Sequence, residues 1–122
     1  MIDVGLYKAT LRASMTFERQ GDGHRKAGQL ASAITDYRSA IDNLETFHPD
    51  AADLHCKIAS IMRQQGEFDL ALEEYRFAGE IYDLSLGADH PQTMATLKKL
   101  KGNEKKLGKV SMAIMDLSLI HI

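Results

Sequence analysis

The stretch GEFDLALEEYRFA, which runs from Gly66 to Ala78, decides the fold that this sequence predicts. Its apolar residues recur at intervals of three and four, as in Ala71, Tyr75 and Ala78. Apolar residues at these intervals lie on one face of an α-helix. Gly66 precedes the pattern, and glycine readily adopts the left-handed backbone conformation that allows a tight turn. The stretch therefore predicts a glycine turn followed by an amphipathic helix.

The same pattern occurs in a second copy and begins again in a third. A shift of 38 residues aligns GQLASAITDYRSA, residues 28–40, with the stretch above. A shift of 42 residues carries His48 and Pro49 onto His90 and Pro91. Such self-similarity is typical of repeat proteins, in which neighbouring units bury each other's apolar faces. We therefore expect a helical extension over residues 1–13, two units over 14–47 and 48–89, and a truncated third unit over 90–116.

The middle unit predicts two helices with definite ends. Proline is favoured in the first turn of a helix, where its missing N–H is not needed, so a first helix is expected over residues 49–65. After the turn at Gly66, a second helix is expected over residues 68–85, and Gly87 ends it. The alternation of apolar and polar residues that marks strands is absent. The fold class is therefore predicted to be all-α.

The two ends of the chain need separate interpretation. Val4, Tyr7 and Leu11 follow helical spacing, so the N-terminal segment either extends the first helix or is the second helix of an earlier unit. The last six residues, LSLIHI (117–122), match one reading frame of a common transposase sequencing adapter. We therefore expect a non-native tail on a fragment of a longer array, with a native apolar helix end as the alternative.

The middle unit resembles a tetratricopeptide repeat. The positions that carry the resemblance are Ile58, Ala59, Met62, Ala71, Tyr75 and Ala78, with Phe17, Gly21, Ala33, Tyr37 and Ala40 in the first unit. The third unit keeps Leu97 and Leu100 but has Lys101 in place of a small residue and Glu104 in place of an aromatic one. The 42-residue spacing resembles the longer variant found in kinesin light chains. The resemblance implies a right-handed α-solenoid of about three helical hairpins whose first helices line a concave groove.

Composition excludes several classes of protein. The chain has 15 Lys and Arg against 17 Asp and Glu, a balance that argues against a dedicated nucleic-acid binder. Cys56 is the single cysteine, which rules out an internal disulfide framework and a zinc site built on cysteines. No apolar run approaches the roughly 18 residues of a membrane span, and no secretory signal is recognisable. We therefore expect a cytoplasmic protein without nucleic-acid or membrane partners.

No combination of residues predicts catalysis, a cofactor or a metal ion. Cys56 follows His55 directly, and adjacent helical residues point about 100° apart, so the two do not form a nucleophile–base pair. His48 and His90 occupy equivalent loops and are interpreted as turn residues. The pair Glu73-Glu74 is interpreted as part of a solvated helix face. The sequence therefore favours a protein that is not an enzyme.

Charge is distributed unevenly along the chain. The net charge is +2 over residues 1–40, −8 over 41–90 and +4 over 91–122. The acidic residues of the middle segment lie mostly on its second helix, which in the resembled family faces away from the groove. The predicted groove carries basic residues on the first helices: Arg19, Arg25, Lys57, Arg63, Lys98, Lys99, Lys105 and Lys106. The pattern predicts a basic groove and an acidic back.

These features predict a protein–protein interaction module. A basic groove attracts acidic ligands, and the resemblance to kinesin light chains implies an adaptor that binds an acidic peptide with aromatic anchors. The plain alternative is that the lysines only keep a helix face soluble. A second functional hypothesis is a sensor or scaffold arm of a larger enzyme or signalling ATPase. RNA binding is disfavoured, because no aromatic residue is available on the groove face for base stacking.

Overall fold

A computed structural model describes the backbone of residues 4–120 and the side chains of residues 4–106. Its five α-helices are α1 (Val4–Lys26), α2 (Leu30–Asp42), α3 (Pro49–Gln64), α4 (Phe68–Leu86) and α5 (Pro91–Ile120). The described backbone contains no strand, and the all-α prediction is confirmed. The ends of α3 and α4 differ from the predicted ones by a single residue each. The proposed tail at 117–122 lies outside the described side chains.

Glycines make the turns within the first two hairpins. Gly28, between α1 and α2, has a φ of 78°, and Gly66, between α3 and α4, has a φ of 80°. This left-handed conformation strains any residue that carries a Cβ atom. The N–H group of Gly66 donates to the carbonyl oxygen of Arg63 at 3.0 Å, which closes the last turn of α3. Gly28 and Gly66, the equivalent glycines of the two copies, therefore form the same left-handed turn.

The repeated His-Pro pair begins a helix both times. The Nδ1 atom of His48 accepts a hydrogen bond from the backbone N–H of Asp50 at 3.1 Å. His90 repeats this bond with the backbone N–H of Gln92, also at 3.1 Å. A side chain that accepts from the first free N–H groups stabilises a helix start. The two histidines, interpreted as turn residues from the sequence, thus act as caps on α3 and α5.

The core lies between the two hairpins and is built from alanines and larger apolar residues. Ala33, Ala71 and Ala78 are completely buried, as their role at close helix crossings requires. Tyr37 and Tyr75, the equivalent tyrosines of the two units, are also buried. Small residues let helices approach closely, and large ones fill the remaining space at the density of a protein interior. This core holds α1 to α4 together.

The end regions differ from a simple three-hairpin plan. α1 runs without a break from Val4, so residues 4–13 belong to the same helix as the start of the first unit. α5 continues to Ile120 through Gly108, the residue aligned with the turn glycine Gly66. The third unit therefore does not turn at that position. A single glycine inside a helix costs only about 1 kcal/mol relative to alanine, so it does not by itself end one.

The buried face of α5 is unusually polar. Thr93, Thr96 and Asn103 are each at most 3% exposed. Neither the Oγ1 atom of Thr93 nor the Oδ1 atom of Asn103 has a hydrogen-bond partner among the described residues. Leu97, a position at which the third unit keeps the repeat pattern, is 43% exposed. α5 therefore packs less completely than the helices of the first two hairpins.

Candidate functional site

The first helices of the three units lie next to one another. Arg25 on α1 donates from Nη2 to the Oγ atom of Ser60 on α3 at 2.9 Å. One helical turn before Ser60 on α3, the Sγ atom of Cys56 lies 4.0 Å from the Oγ1 atom of Thr96 on α5. α3 therefore contacts both α1 and α5. We call the surface shared by these three helices the first-helix face, and it carries the residues predicted to line a groove.

Lys57 lies on this face, but its charge is already balanced. Its Nζ atom is 3.0 Å from Oε2 of Glu18 and 2.9 Å from Oδ1 of Asp22, both on α1. Burial alone lowers the pKa of Lys57, but the hydrogen bonds to Asp22 and Glu18 outweigh it and raise the pKa. Lys57 therefore remains protonated and joins α3 to α1. Of the predicted groove cations, it is the one with carboxylate partners in the described part of the chain.

Tyr37 contacts both Asp22 and Lys57 of this ion pair. The hydroxyl group of Tyr37 donates to Oδ1 of Asp22 at 2.5 Å, and the Nζ atom of Lys57 lies 5.5 Å from the centre of its ring. Burial and the Asp22 carboxylate raise the pKa of Tyr37 to about 12. Burial raises the pKa of Asp22 as well, but the bonds from Tyr37 and Lys57 outweigh it and lower the pKa. The α1–α3 half of the face is thus a mixed-charge surface, not a basic one.

The four predicted lysines of α5 divide between two sides of that helix. Lys99 and Lys106 lie about 60–80° around α5 from Thr96, so they are on the half of the helix that turns toward α3. Lys98 and Lys105 lie roughly opposite Thr96 by the same helical spacing and face away from the body of the protein. All four were predicted to line the groove, because the sequence does not reveal which side of α5 packs against the protein. Only Lys99 and Lys106 belong to the first-helix face.

The α3–α5 half of the face carries unpaired positive charge. Arg63, near the end of α3, is exposed, and so are Lys99 and Lys106. No carboxylate of the described residues forms an ion pair with any of these three side chains. The Nζ atom of Lys106 lies 5.3 Å from the centre of the Phe68 ring. Arg19 is also exposed but lies on α1 beside Glu18.

Cys56 and His55 do not form a reactive pair. Burial raises the pKa of the Cys56 thiol, although the hydrogen bond with Thr96 and the charge of Lys99 act in the opposite direction. The imidazole of His55 instead contacts Glu74, with 2.6 Å between Nδ1 and Oε2. A buried thiol with a raised pKa is a poor nucleophile. Among the side chains of residues 4–106, no group of three metal-ligating residues comes together either.

Glu74 is the residue whose position the sequence interpretation missed. Its neighbour Glu73 is exposed as expected, but Glu74 is only 6% exposed. Its carboxylate accepts hydrogen bonds from Nη2 of Arg38 at 2.5 Å and from His55, so it links α2, α3 and α4. Burial raises the pKa of Glu74, but these partners outweigh it and lower the pKa. The signal was its spacing, because Glu74 falls between Ala71 and Ala78 on the buried helix face.

No helix in the described part of the chain has both the length and the apolar character needed to cross a bilayer. None of the protein-family models compared with the chain matches it. No curated protein shows significant sequence similarity to it.

Proposed function

We propose that the chain is a protein-interaction module of tetratricopeptide-like hairpins that binds an acidic peptide across the α3–α5 half of the first-helix face. The observation that carries this proposal is the set Arg63, Lys99 and Lys106, three exposed cations without carboxylate partners in the described structure. Lys57 and its two carboxylates mark where this basic surface ends. The binding surface is therefore narrower than the eight basic residues that the sequence indicates.

The arrangement of helices supports stacking of the hairpins as a right-handed solenoid. Bonds between α1 and α3 and a contact between α3 and α5 join successive first helices. The Arg38–Glu74 pair joins the second helices α2 and α4. A solenoid requires this succession, in which each unit contacts only its neighbours. An extended peptide that follows the first helices would meet Arg63, Lys99 and Lys106 in turn.

Unpaired cations favour such a ligand for an electrostatic reason. Acidic side chains gain attraction from clustered positive charge without breaking an existing ion pair. The ring of Phe68 beside Lys106 offers an apolar surface for an aromatic side chain of the peptide. This combination fits the acidic peptides with aromatic anchors that the kinesin light chain resemblance implies. The proposal assigns no reaction to the described residues.

A peptide titration tests the proposal. A fluorescein-labelled peptide of alternating glutamate and glycine with one central tryptophan is titrated with the chain, and anisotropy is recorded at rising salt. We expect saturable binding that weakens steeply as salt screens the charges. The matched peptide with lysine in place of glutamate should not bind this face. Absence of binding at low salt, or an affinity that salt does not change, would overturn the proposal.

A further inference from the structure

A cavity at the start of α3 shares no lining residue with the proposed peptide surface. It has a volume of about 480 Å³ and lies between the end of α2, the loop over residues 43–48, the start of α3 and the middle of α4. His55 lines it, whereas Arg63, the α3 residue of the proposed peptide surface, lies eight residues further on, about 12 Å along the helix. We call this cavity the acidic pocket. It is separate from the groove on which the proposed function depends.

The interior of the acidic pocket is apolar and aromatic. Ile41, Leu44 and Ile81 form its inner surface. Two phenylalanines stand at its sides: Phe47 is 58% exposed and Phe77 is 47% exposed. Large apolar side chains that gather around a cavity in contact with water mark interaction sites more often than isolated ones do. The pocket can therefore take an apolar group from a partner.

The mouth of the pocket is negatively charged. Asp42, Glu45 and Glu80 line it, all three are exposed, and no Lys or Arg lines it with them. None of the three forms an ion pair with a described residue. Arg38, one helical turn before Asp42 on α2, forms an ion pair with Glu74 instead. Negative potential is therefore left uncompensated around an apolar opening.

We infer that the acidic pocket is a docking site for a peptide segment in which one bulky apolar side chain is flanked by lysine or arginine. The apolar side chain would enter between Phe47 and Phe77, and the basic residues would meet Asp42, Glu45 and Glu80. Both aromatic faces and carboxylates attract a cation, so the two parts of the pocket favour the same partner. The volume lies within the roughly 300–1,000 Å³ of small-ligand pockets, which leaves room for one bulky side chain.

A binding experiment with matched variants tests this assignment. The probe is a fluorescein-labelled peptide with one central phenylalanine, two arginines on each side and terminal glycines. Glu80→Lys places a positive charge at the pocket mouth, and Glu73→Lys makes the same change on α4 two helical turns away, outside the pocket. We expect Glu80→Lys to weaken binding about tenfold, equivalent to about 1.4 kcal/mol. Glu73→Lys should change it by less than about threefold, since more distant exposed charges are screened.

A second arm tests the apolar part of the site and the identity of the occupant. Phe77→Ala, or the peptide with alanine in place of phenylalanine, should weaken binding comparably, with thermal denaturation used to show that each variant folds. Equal losses from Glu80→Lys and Glu73→Lys would overturn the inference, because they would show attraction to net charge only. Concentration-dependent self-association in analytical ultracentrifugation, abolished by Glu80→Lys at the pocket mouth, would also overturn it, because a second copy would then fill the pocket.

Discussion

Gly21 lies directly against the ring of Tyr37. A Cβ atom at position 21 would be 2.7 Å from the Cε1 atom of that ring, closer than a real carbon contact. Tyr37 is completely buried and its hydroxyl group is held by Asp22, so the ring cannot move aside freely. This contact explains why the position that resembles the glycine of a tetratricopeptide repeat carries glycine within the long helix α1.

Gly21→Ala should therefore destabilise the protein by about 1–3 kcal/mol, because overpacking a core displaces its neighbours. Gly23 offers a matched control on the same helix, since a Cβ atom there meets nothing within 4 Å. Gly23→Ala should instead stabilise the protein by up to about 1 kcal/mol, the difference in helix propensity. Urea denaturation measures both. Equal effects of the two substitutions would contradict the close contact.

Glu74 should make the stability of the protein depend on pH in the acid range. Its pKa is lowered from the ordinary value of 4.5, so the stability that it contributes is present above pH 4.5 and is lost as pH falls through its value in the folded protein. Glu74→Gln should cost about 1–3 kcal/mol at neutral pH, because Arg38 and His55 lose a charged acceptor.

The difference in unfolding free energy between wild type and Glu74→Gln should shrink as pH is lowered below 4.5. Urea denaturation at a series of pH values measures this difference. The control is Glu73→Gln, because Glu73 is exposed on the same helix. A cost that stays constant throughout the acid range would show that the carboxylate is not stabilised in its charged form.

Tyr37 should instead make the stability of the protein fall at high pH. Its pKa is raised from 10 to about 12, so its contribution is complete below pH 10 and is lost as pH rises toward 12. Tyr37→Phe should cost about 1 kcal/mol at neutral pH through the lost bond to Asp22. Its unfolding free energy should then fall less between pH 10 and 12 than that of the wild type. An equal fall in unfolding free energy for wild type and Tyr37→Phe between pH 10 and 12 would refute the assignment.

Ala71 tests the packing of the middle hairpin. It is completely buried where α4 crosses its neighbours, so Ala71→Arg forces a long charged side chain into a close contact. We expect loss of the cooperative thermal transition. Glu73→Arg, an exposed position on the same helix, should leave the melting temperature nearly unchanged. A normal transition for Ala71→Arg would mean that the register of α4 is wrong.

Local sequence signals predicted the middle hairpin well. Pro49, Gly66 and Gly87 mark the ends of α3 and α4 through backbone preferences that act within one or two residues, and the observed ends agree. The third unit was harder to predict, because a single glycine inside a helix costs only about 1 kcal/mol relative to alanine and does not by itself end the helix. α5 accordingly continues through Gly108, the position aligned with the turn glycine Gly66.

The binding surface was predictable in composition but not in geometry. Spacing placed Arg63, Lys57 and Lys99 on first helices, as observed. It did not show that Lys57 would bind carboxylates from α1, or that Lys98 would face away from α3, because both facts depend on contacts between helices. The burial of Glu74 was missed for the same reason, since its two partners come from α2 and α3.

The most direct test of the proposed function is a comparison of two double charge reversals on α5. Lys99→Glu with Lys106→Glu changes the side that turns toward α3, and Lys98→Glu with Lys105→Glu makes the same change in net charge on the opposite side. Anisotropy with the glutamate-rich peptide measures both. The proposal predicts at least about a tenfold loss of affinity for the first pair and less than about a threefold loss for the second. Equal affinities for the two double variants would contradict it.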